Sequence, residues 1–189
     1  MIALFRNLFL SIQDIILKPK EFWVLQKQNQ IKSRKLLSAY FFPFLLVAGL
    51  AVFTGEFFRS NHFYAGFALM KASREILLFL LQYLLSVFFT NELIKTFGGE
   101  KNRKTAQVLV VFSMTPLLLV SIITGLFPFL YVLDALGLYS FYIFWLGANE
   151  LLDFSRRKFE KYALSAILVN FFVFSFLSVL LSKLLTAYM

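Results

Sequence analysis

The sequence contains no cysteine and only one histidine among its 189 residues. The absence of thiols excludes disulfides and thiol chemistry, and a single imidazole excludes a multi-histidine zinc site. Nothing in the sequence pairs that histidine, His62, with a serine and an acid at a spacing that indicates a catalytic triad. We therefore expect no catalytic residue, no metal and no cofactor, and a protein that is not an enzyme.

Charge is also scarce, since only 15% of the residues are charged and 60% are hydrophobic. Ordinary soluble domains carry about 25% charged residues and about 45–50% apolar ones. The mean hydropathy of +0.76 is too high for a soluble chain of this length to bury its apolar surface. Lipid is the expected solvent, and the 26 phenylalanines and 8 tyrosines suit the acyl region and its borders.

Five apolar runs are each close to the roughly 20 residues that cross a bilayer as a helix. The sequence therefore predicts an all-α, polytopic bundle of five transmembrane helices. The more polar stretch 55–73 is predicted to be an outer loop, with or without an interfacial helix. The predicted spans are 36–54, 76–96, 105–124, 129–148 and 162–185.

The N-terminal segment is predicted to form an amphipathic helix, because its apolar residues recur every three or four positions (Ile2, Phe5, Phe9, Ile12, Ile16). Such a helix lies either in the membrane interface or on the protein's own cytosolic side. Pro19 can begin the next helix, and Phe22 and Trp23 beside lysines are typical of an interfacial anchor. We divide the chain into a cytosolic amphipathic and basic segment, 1–35, and a five-span domain, 36–189.

The basic residues are distributed unevenly across these spans. Fifteen of the 19 lysines and arginines fall in the N-terminal segment and in the loops after the second and fourth spans. The positive-inside rule places those regions, and the N-terminus, in the cytoplasm and the C-terminus outside. The net charge of +9 thus reflects orientation and not a nucleic-acid partner, and the basic face is expected to attract anionic lipid headgroups.

The segment FGGEKNRKTAQ, between the second and third spans, has the paired glycines and the charge that could suggest a phosphate-binding loop. It lacks the spacing of a Walker-type loop, which needs four residues between its first glycine and Gly-Lys-Ser/Thr. A turn explains it better: Gly98 or Gly99 ends one helix in the left-handed conformation, and Asn102 or Thr105 caps the next.

Several short motifs occur in an order that resembles the Yip family of five-span membrane proteins, particularly its bacterial members. They are Pro19–Lys20–Glu21–Phe22–Trp23, Phe97–Gly98–Gly99, Phe112–Ser113–Met114–Thr115–Pro116, Gly137–Leu138–Tyr139 and Gly147. The resemblance covers about residues 10–185 and implies five spans with a cytosolic N-terminus, here in a bacterial cytoplasmic membrane. Eukaryotic members bind Rab-type GTPases and trafficking partners from the cytosolic side, but bacteria lack that vesicle machinery. The resemblance therefore implies a fold more firmly than a function.

Polar residues within the predicted spans are the candidate functional groups. Pro116 removes a backbone donor and predicts a kink in the third span, where Ser113 and Thr115 can satisfy freed backbone groups; the kink either serves packing or opens a cavity. Asp134 has Arg74 or Lys71 as possible partners. A cluster is predicted at the cytosolic helix ends, as structural ion pairs or as a vestibule for a ligand: Asn91, Glu92, Asn149, Glu150 and Asp153.

Two functions from different classes follow from these features. The first is a non-catalytic membrane organiser or adaptor that recruits an as yet unidentified protein partner or lipids at its cytosolic face. The second is a small transporter, channel or lipid translocator that uses polar groups between the second, third and fourth spans. Self-association into a homo-oligomer is compatible with either.

Overall fold

The computed structural model describes residues 2–29, 36–59 and 63–187, with side chains described from residue 8 onward except at 29 and 186. These residues form helices and no strand. Helices α1 and α2 precede five helices that are long and apolar enough to cross a membrane, which confirms the predicted fold class. Their bounds are α1 Ile2–Leu17, α2 Pro19–Asn29, and spans one to five at Leu37–Arg59, Ala65–Thr96, Arg103–Leu126, Pro128–Leu151 and Arg156–Leu185.

Three of the spans depart from a regular α-helix. The first opens with a π-helical turn, Leu37–Phe41. The third consists of two α-helices that meet at Met114, and Pro116 lies in the first turn of the second one. The first half of the fourth span, Pro128–Leu138, is a 3₁₀ helix.

The predicted outer loop at 55–73 was wrong. The first span continues to Arg59 and the second begins at Ala65, so most of this stretch is helical. Its charged residues suggested a loop, but they face one another inside the bundle: Lys71 Nζ lies 2.7 Å from Glu56 Oε1. His62, which was predicted to lie in this loop, is outside the described residues. The predicted domain boundary lies between residues 35 and 36, and residue 35 is also outside them.

The turn after the second span has the predicted form. Gly98 has a φ of 89°, and the amides of Gly98 and Gly99 donate to the carbonyl oxygens of Lys95 and Ile94 at 2.9 Å each. This pairing is a Schellman motif, which ends a helix with a left-handed residue. Asn102 Oδ1 then accepts hydrogen bonds from the amides of Lys104 and Thr105 and caps the third span.

We call the end of the bundle that holds the Gly98 turn and the 152–155 loop the N-terminal face, and the opposite end the C-terminal face. Near the N-terminal face the third span packs between the second and fourth. Toward the C-terminal face the spans form an arc in the order five, two, one, three and four, and each span packs against the next one in that order. The bundle is therefore closed at one end and open between spans four and five at the other.

Helix α2 completes the closed half by packing against the fourth span. Trp23 is fully buried, its Nε1 donates to the carbonyl of Ile143 at 3.1 Å, and Phe22 contacts Phe112 with ring centroids 4.8 Å apart. The structure thus buries both rings inside the protein, so they are not the lipid-exposed anchor that the sequence predicted. Gly147 leaves the room for Trp23, because a Cβ there would overlap the indole.

Helix α1 is only partly attached to the bundle. Ile15 is fully buried, and the Tyr139 hydroxyl donates to the carbonyl of Ile16 at 3.1 Å. Phe9 and Leu17 remain about two-thirds exposed, at 67% and 68%. The helix therefore packs on the protein along one side and leaves an apolar side uncovered, which combines the two placements that the sequence left open.

Candidate functional site

The cluster predicted at the helix ends is divided between two sets of ion pairs. Glu92 pairs with Lys101, from the loop that follows its own span. Glu150 and Asp153 lie 3.8 and 3.9 Å from Lys27 Nζ, on helix α2. Among the described residues, the carboxylate of span two therefore pairs with Lys101, whereas the two carboxylates at the end of span four share Lys27.

The two asparagines of the predicted cluster also lie apart. Asn91 lines a recess beside Tyr83, Phe88 and Arg103, whereas Asn149 lines another with Trp145, Phe159 and Glu160. Asn91 Oδ1 is buried without a hydrogen-bond donor. The structure therefore does not bring the five residues together into one vestibule.

The Phe97–Gly98–Gly99 turn packs against the loop between the last two spans. Phe97 contacts Tyr162 edge to face, with ring centroids 6.1 Å apart, and Phe154 contacts Tyr162 at 5.2 Å. A Cβ at Gly99 would lie 2.9 Å from Phe154. The turn thus joins the N-terminal ends of spans three and five, and its glycines permit that contact.

The residues around the break in the third span connect it to three neighbouring features. Thr115 Oγ1 and the Tyr40 hydroxyl share a hydrogen bond of 2.7 Å, which ties the third span to the first. Leu117 N, an amide in the first turn after the break, donates to Ser140 Oγ on the fourth span at 3.2 Å. Ser113 is 5% exposed and lines a small cavity. The motif therefore serves packing and also borders a cavity.

A polar cavity of about 490 Å³ lies in the open half of the bundle, at the C-terminal face. All five spans line it. Glu56 Oε1 is 2.7 Å from Lys71 Nζ and 3.6 Å from Arg59, and both Glu56 and Lys71 side chains are largely buried. This volume is in the range of small-molecule sites, about 300–1,000 Å³.

Arg74 and Glu75 form the central part of the wall. Arg74 donates to Glu75 Oε2 at 3.0 Å and to Ser182 Oγ at 2.7 Å, and its other contact is Ser178 on the same fifth span. Glu75 Oε1 accepts a hydrogen bond from Ser121 at 2.7 Å. This network joins the second, third and fifth spans, so the cavity wall is held in place from three sides.

Asp134 lines the same cavity from the fourth span. It is exposed, and among the described residues it takes part in no ion pair. The partners that the sequence suggested for it, Arg74 and Lys71, are paired with Glu75 and Glu56 instead. Asp134 also borders a second, smaller cavity of about 120 Å³, which is mostly apolar and lies deeper in the bundle.

The smaller cavity is bordered by buried polar groups without partners. Gln82 is 3% exposed and Ser86 is 2% exposed, yet Gln82 Oε1 and Ser86 Oγ have no hydrogen-bond partner. Asn170 Oδ1 also has no hydrogen-bond partner. The Asn170 side chain uses its Nδ2 instead, which donates to the carbonyl of Ala166 in its own helix at 2.8 Å. Buried polar groups are nearly always paired, so such a group indicates a ligand, a water or a strained packing.

Sequence reasoning missed this cavity, although a signal for it was present. Polar residues follow one side of the second span at intervals of four or seven: Lys71, Glu75, Gln82, Ser86 and Thr90. Residues at such spacing share a helix face, and an intramembrane polar face points to a cavity or to a partner. The signal was lost because the first part of this stripe was interpreted as a loop.

The comparison with known families agrees with this architecture. The Yip1 domain family model matches residues 14–177. The chain belongs to the Yip1 family. No curated protein and no solved structure matches it. The matched region contains Trp23, the Gly98 turn, the break at Pro116 and the residues of the smaller cavity. It also contains most of the lining of the larger cavity, whose remaining residues are Ser178, Ser182 and Leu185.

Proposed function

We propose that this Yip1 protein is a non-catalytic membrane organiser that gathers anionic lipids, and through them or beside them a protein partner, at its N-terminal face. The supporting observation is the exposed charge at that end. The carboxylates of Glu92, Glu150, Asp153 and Glu160 are each within an ion pair. The exposed basic residues at this end outnumber all of its carboxylates, Glu100 included. The exposed basic residues at this end are Lys27, Lys95, Lys101, Arg103, Lys104, Arg156, Arg157, Lys158 and Lys161.

The physical basis is the negative potential of the cytoplasmic leaflet. A lysine or arginine near such a surface contributes about 1 kcal/mol of attraction, within about a Debye length. The proposal therefore includes the predicted orientation, with the N-terminus inside a bacterial cytoplasmic membrane. In that orientation the basic loops lie next to anionic headgroups and remain accessible from the cytoplasm.

Lipid enrichment around single-charge variants tests this proposal. The full chain is reconstituted in nanodiscs with phosphatidylcholine and phosphatidylglycerol, and the annular lipid is measured by mass spectrometry after mild detergent extraction. Arg157→Gln should lower the phosphatidylglycerol enrichment about three- to fivefold, the equivalent of about 1 kcal/mol. Lys183→Gln, which removes one charge near the other end of the chain, is the control. Equal enrichment in the wild type, Arg157→Gln and Lys183→Gln would contradict the proposal.

The adaptor part is tested in cells by photo-crosslinking from position 104, on the N-terminal face, and from position 132, on the C-terminal face. A discrete protein adduct that forms at position 104 and is lost with Arg157→Gln supports recruitment at the basic face. Adducts that are absent at 104, or that form equally at 132, contradict it.

A second function, that of a small transporter or lipid translocator, is favoured by the polar cavity. Passage would require the cavity to continue to the N-terminal face. In the described structure that half is filled by fully buried side chains, among them Leu109, Ile143 and Tyr162. Flux of a polar solute or a headgroup-labelled lipid across sealed proteoliposomes tests this function, and a rate equal to that of protein-free vesicles would exclude it.

A further inference from the structure

The cavity at the C-terminal face opens sideways, between spans four and five. The first half of span four packs on span three, while span five packs on span two, so the two spans border the cavity from separate sides. The two spans meet closer to the N-terminal face, where the ring centroids of Phe141 and Phe171 are 6.1 Å apart. Leu138 and Phe171 flank this gap and are 58% and 42% exposed. An amphiphile can therefore enter from the lipid phase with its polar end leading.

The charges around the cavity are arranged in two groups. The side formed by spans one and two has three cations and two carboxylates, an excess of one positive charge: Arg59, Lys71 and Arg74 with Glu56 and Glu75. The serines of span five lie beside Arg74. The carboxylate of Asp134 stands alone on the fourth span. A ligand with one anionic and one cationic group is complementary to such a site, and a ligand with a single charge leaves one wall unmatched.

The groups without partners specify this ligand further. Arg74 Nε is a buried donor that lacks an acceptor, which suits a phosphate oxygen. Gln82 Oε1 and Asn170 Oδ1 are buried acceptors that lack donors, and the exposed carboxylate of Asp134 borders the same cavity. These acceptors suit an ammonium with N–H groups. The mostly apolar smaller cavity continues from Asp134 and offers space for the uncharged part of the ligand.

We propose that the two cavities form a binding site for one aminophospholipid, whose phosphate lies toward Arg74 and Lys71 and whose primary ammonium lies toward Asp134. The lipid enters through the gap between spans four and five. The site is at the opposite end of the molecule from the basic face, so it extends the proposed function and does not depend on it. Because buried side chains fill the N-terminal half, the lipid is bound at this site and is not carried across the membrane.

Headgroup selectivity tests the site directly. The detergent-purified full chain is titrated with phosphatidylethanolamine, phosphatidylcholine and phosphatidylglycerol of matched acyl chains, and bound lipid is counted by native mass spectrometry. Phosphatidylethanolamine should bind about tenfold more tightly than phosphatidylcholine, which keeps the charge but has no N–H to donate to a carboxylate. Phosphatidylglycerol lacks the cation and is expected at the basic face instead, so its binding should not fall in Asp134→Asn.

The variant Asp134→Asn should lower phosphatidylethanolamine affinity about tenfold and remove the preference over phosphatidylcholine, since a charged hydrogen-bond partner is lost. Asp134 is exposed, so the substitution is not expected to disturb folding, and thermal unfolding checks this. Asp153→Asn at the opposite face is the control and should keep the wild-type preference. The basic-face variant Arg157→Gln should keep it too, which separates this site from the proposed function.

Two results would overturn the proposal: equal binding of phosphatidylethanolamine and phosphatidylcholine, or an unchanged preference in Asp134→Asn. Soluble phosphoethanolamine distinguishes a free ligand from a lipid. If it competes at the same concentration as the lipid, the ligand is a soluble zwitterion and the lipid assignment is wrong.

Discussion

Lys71 and Glu56 form an ion pair of 2.7 Å that joins the second span to the first at the edge of the polar cavity. Both side chains are largely buried, at 16% and 9% exposure, so neither charge is well solvated on its own. The pair allows two charged side chains to be buried within the helices at the C-terminal face. It also provides the first test of the fold.

Removal of one partner should destabilise the protein strongly. Lys71→Met leaves Glu56 with only the longer contact to Arg59, and breaking a buried pair costs about 3–5 kcal/mol. Lys101→Met, at the more exposed pair with Glu92, should cost less than about 1 kcal/mol. The free energy of unfolding in mixed micelles measures both. Equal losses in the two variants would contradict the buried position of Lys71.

The crossing of the first and third spans depends on Gly55. A Cβ at this position would overlap the backbone carbonyl of Gly125, which cannot move as a side chain can. Gly55→Ala should therefore destabilise the protein by about 1–3 kcal/mol, the typical effect of overpacking.

Gly66 is the matched control for this crossing, because a Cβ there meets nothing within 4 Å. Gly66→Ala should be neutral or stabilising by about 0.5–1 kcal/mol, since alanine is the better helix former. Thermal unfolding of the two variants in the same detergent gives the comparison. A Gly55→Ala protein as stable as Gly66→Ala would show that the two spans do not cross at this point.

The hydrogen bond between Tyr40 and Thr115 is predicted to contribute modestly. Tyr40→Phe removes one hydroxyl from a buried pair, and interhelical hydrogen bonds in membranes are worth about 0.6 kcal/mol on average, with a maximum near 1.7. Thr54→Val, which removes a hydroxyl bonded only within its own helix, is the control and should change stability less. In a double-mutant cycle, Tyr40→Phe and Thr115→Val should be non-additive. Additive losses would mean that the two hydroxyls do not interact.

The sequence was most informative where one local cause decides the structure. Apolar length gave the five spans, Gly98 and Asn102 gave the turn between spans two and three, and Pro116 gave the interruption of span three. Each of these effects acts within a few residues of its origin. The comparison with the Yip1 family then agreed with the resemblance that the short motifs had suggested.

The sequence was misleading where a residue's environment is supplied by a distant part of the chain. Trp23 has the local context of an interfacial anchor, but its hydrogen-bond acceptor is Ile143, 120 residues away. Glu56 and Lys71 suggested a loop because their pairing across two spans is not visible in a linear pattern. The sequence also predicted that Glu92 and Glu150 lie in one cluster, which the structure does not show. Lys27 on α2 pairs with Glu150 and Asp153 and not with Glu92.

The account depends most directly on the five crossings with the basic loops on one side, and cysteine labelling tests this in a chain that has no cysteine of its own. Single cysteines are placed at 66 and 132, at the C-terminal face, and at 103 and 157, at the N-terminal face. In intact bacterial cells a membrane-impermeant maleimide should label 66 and 132, and it should reach 103 and 157 only after the cytoplasmic membrane is opened. Labelling of 103 and 157 from opposite sides of the membrane would contradict the account.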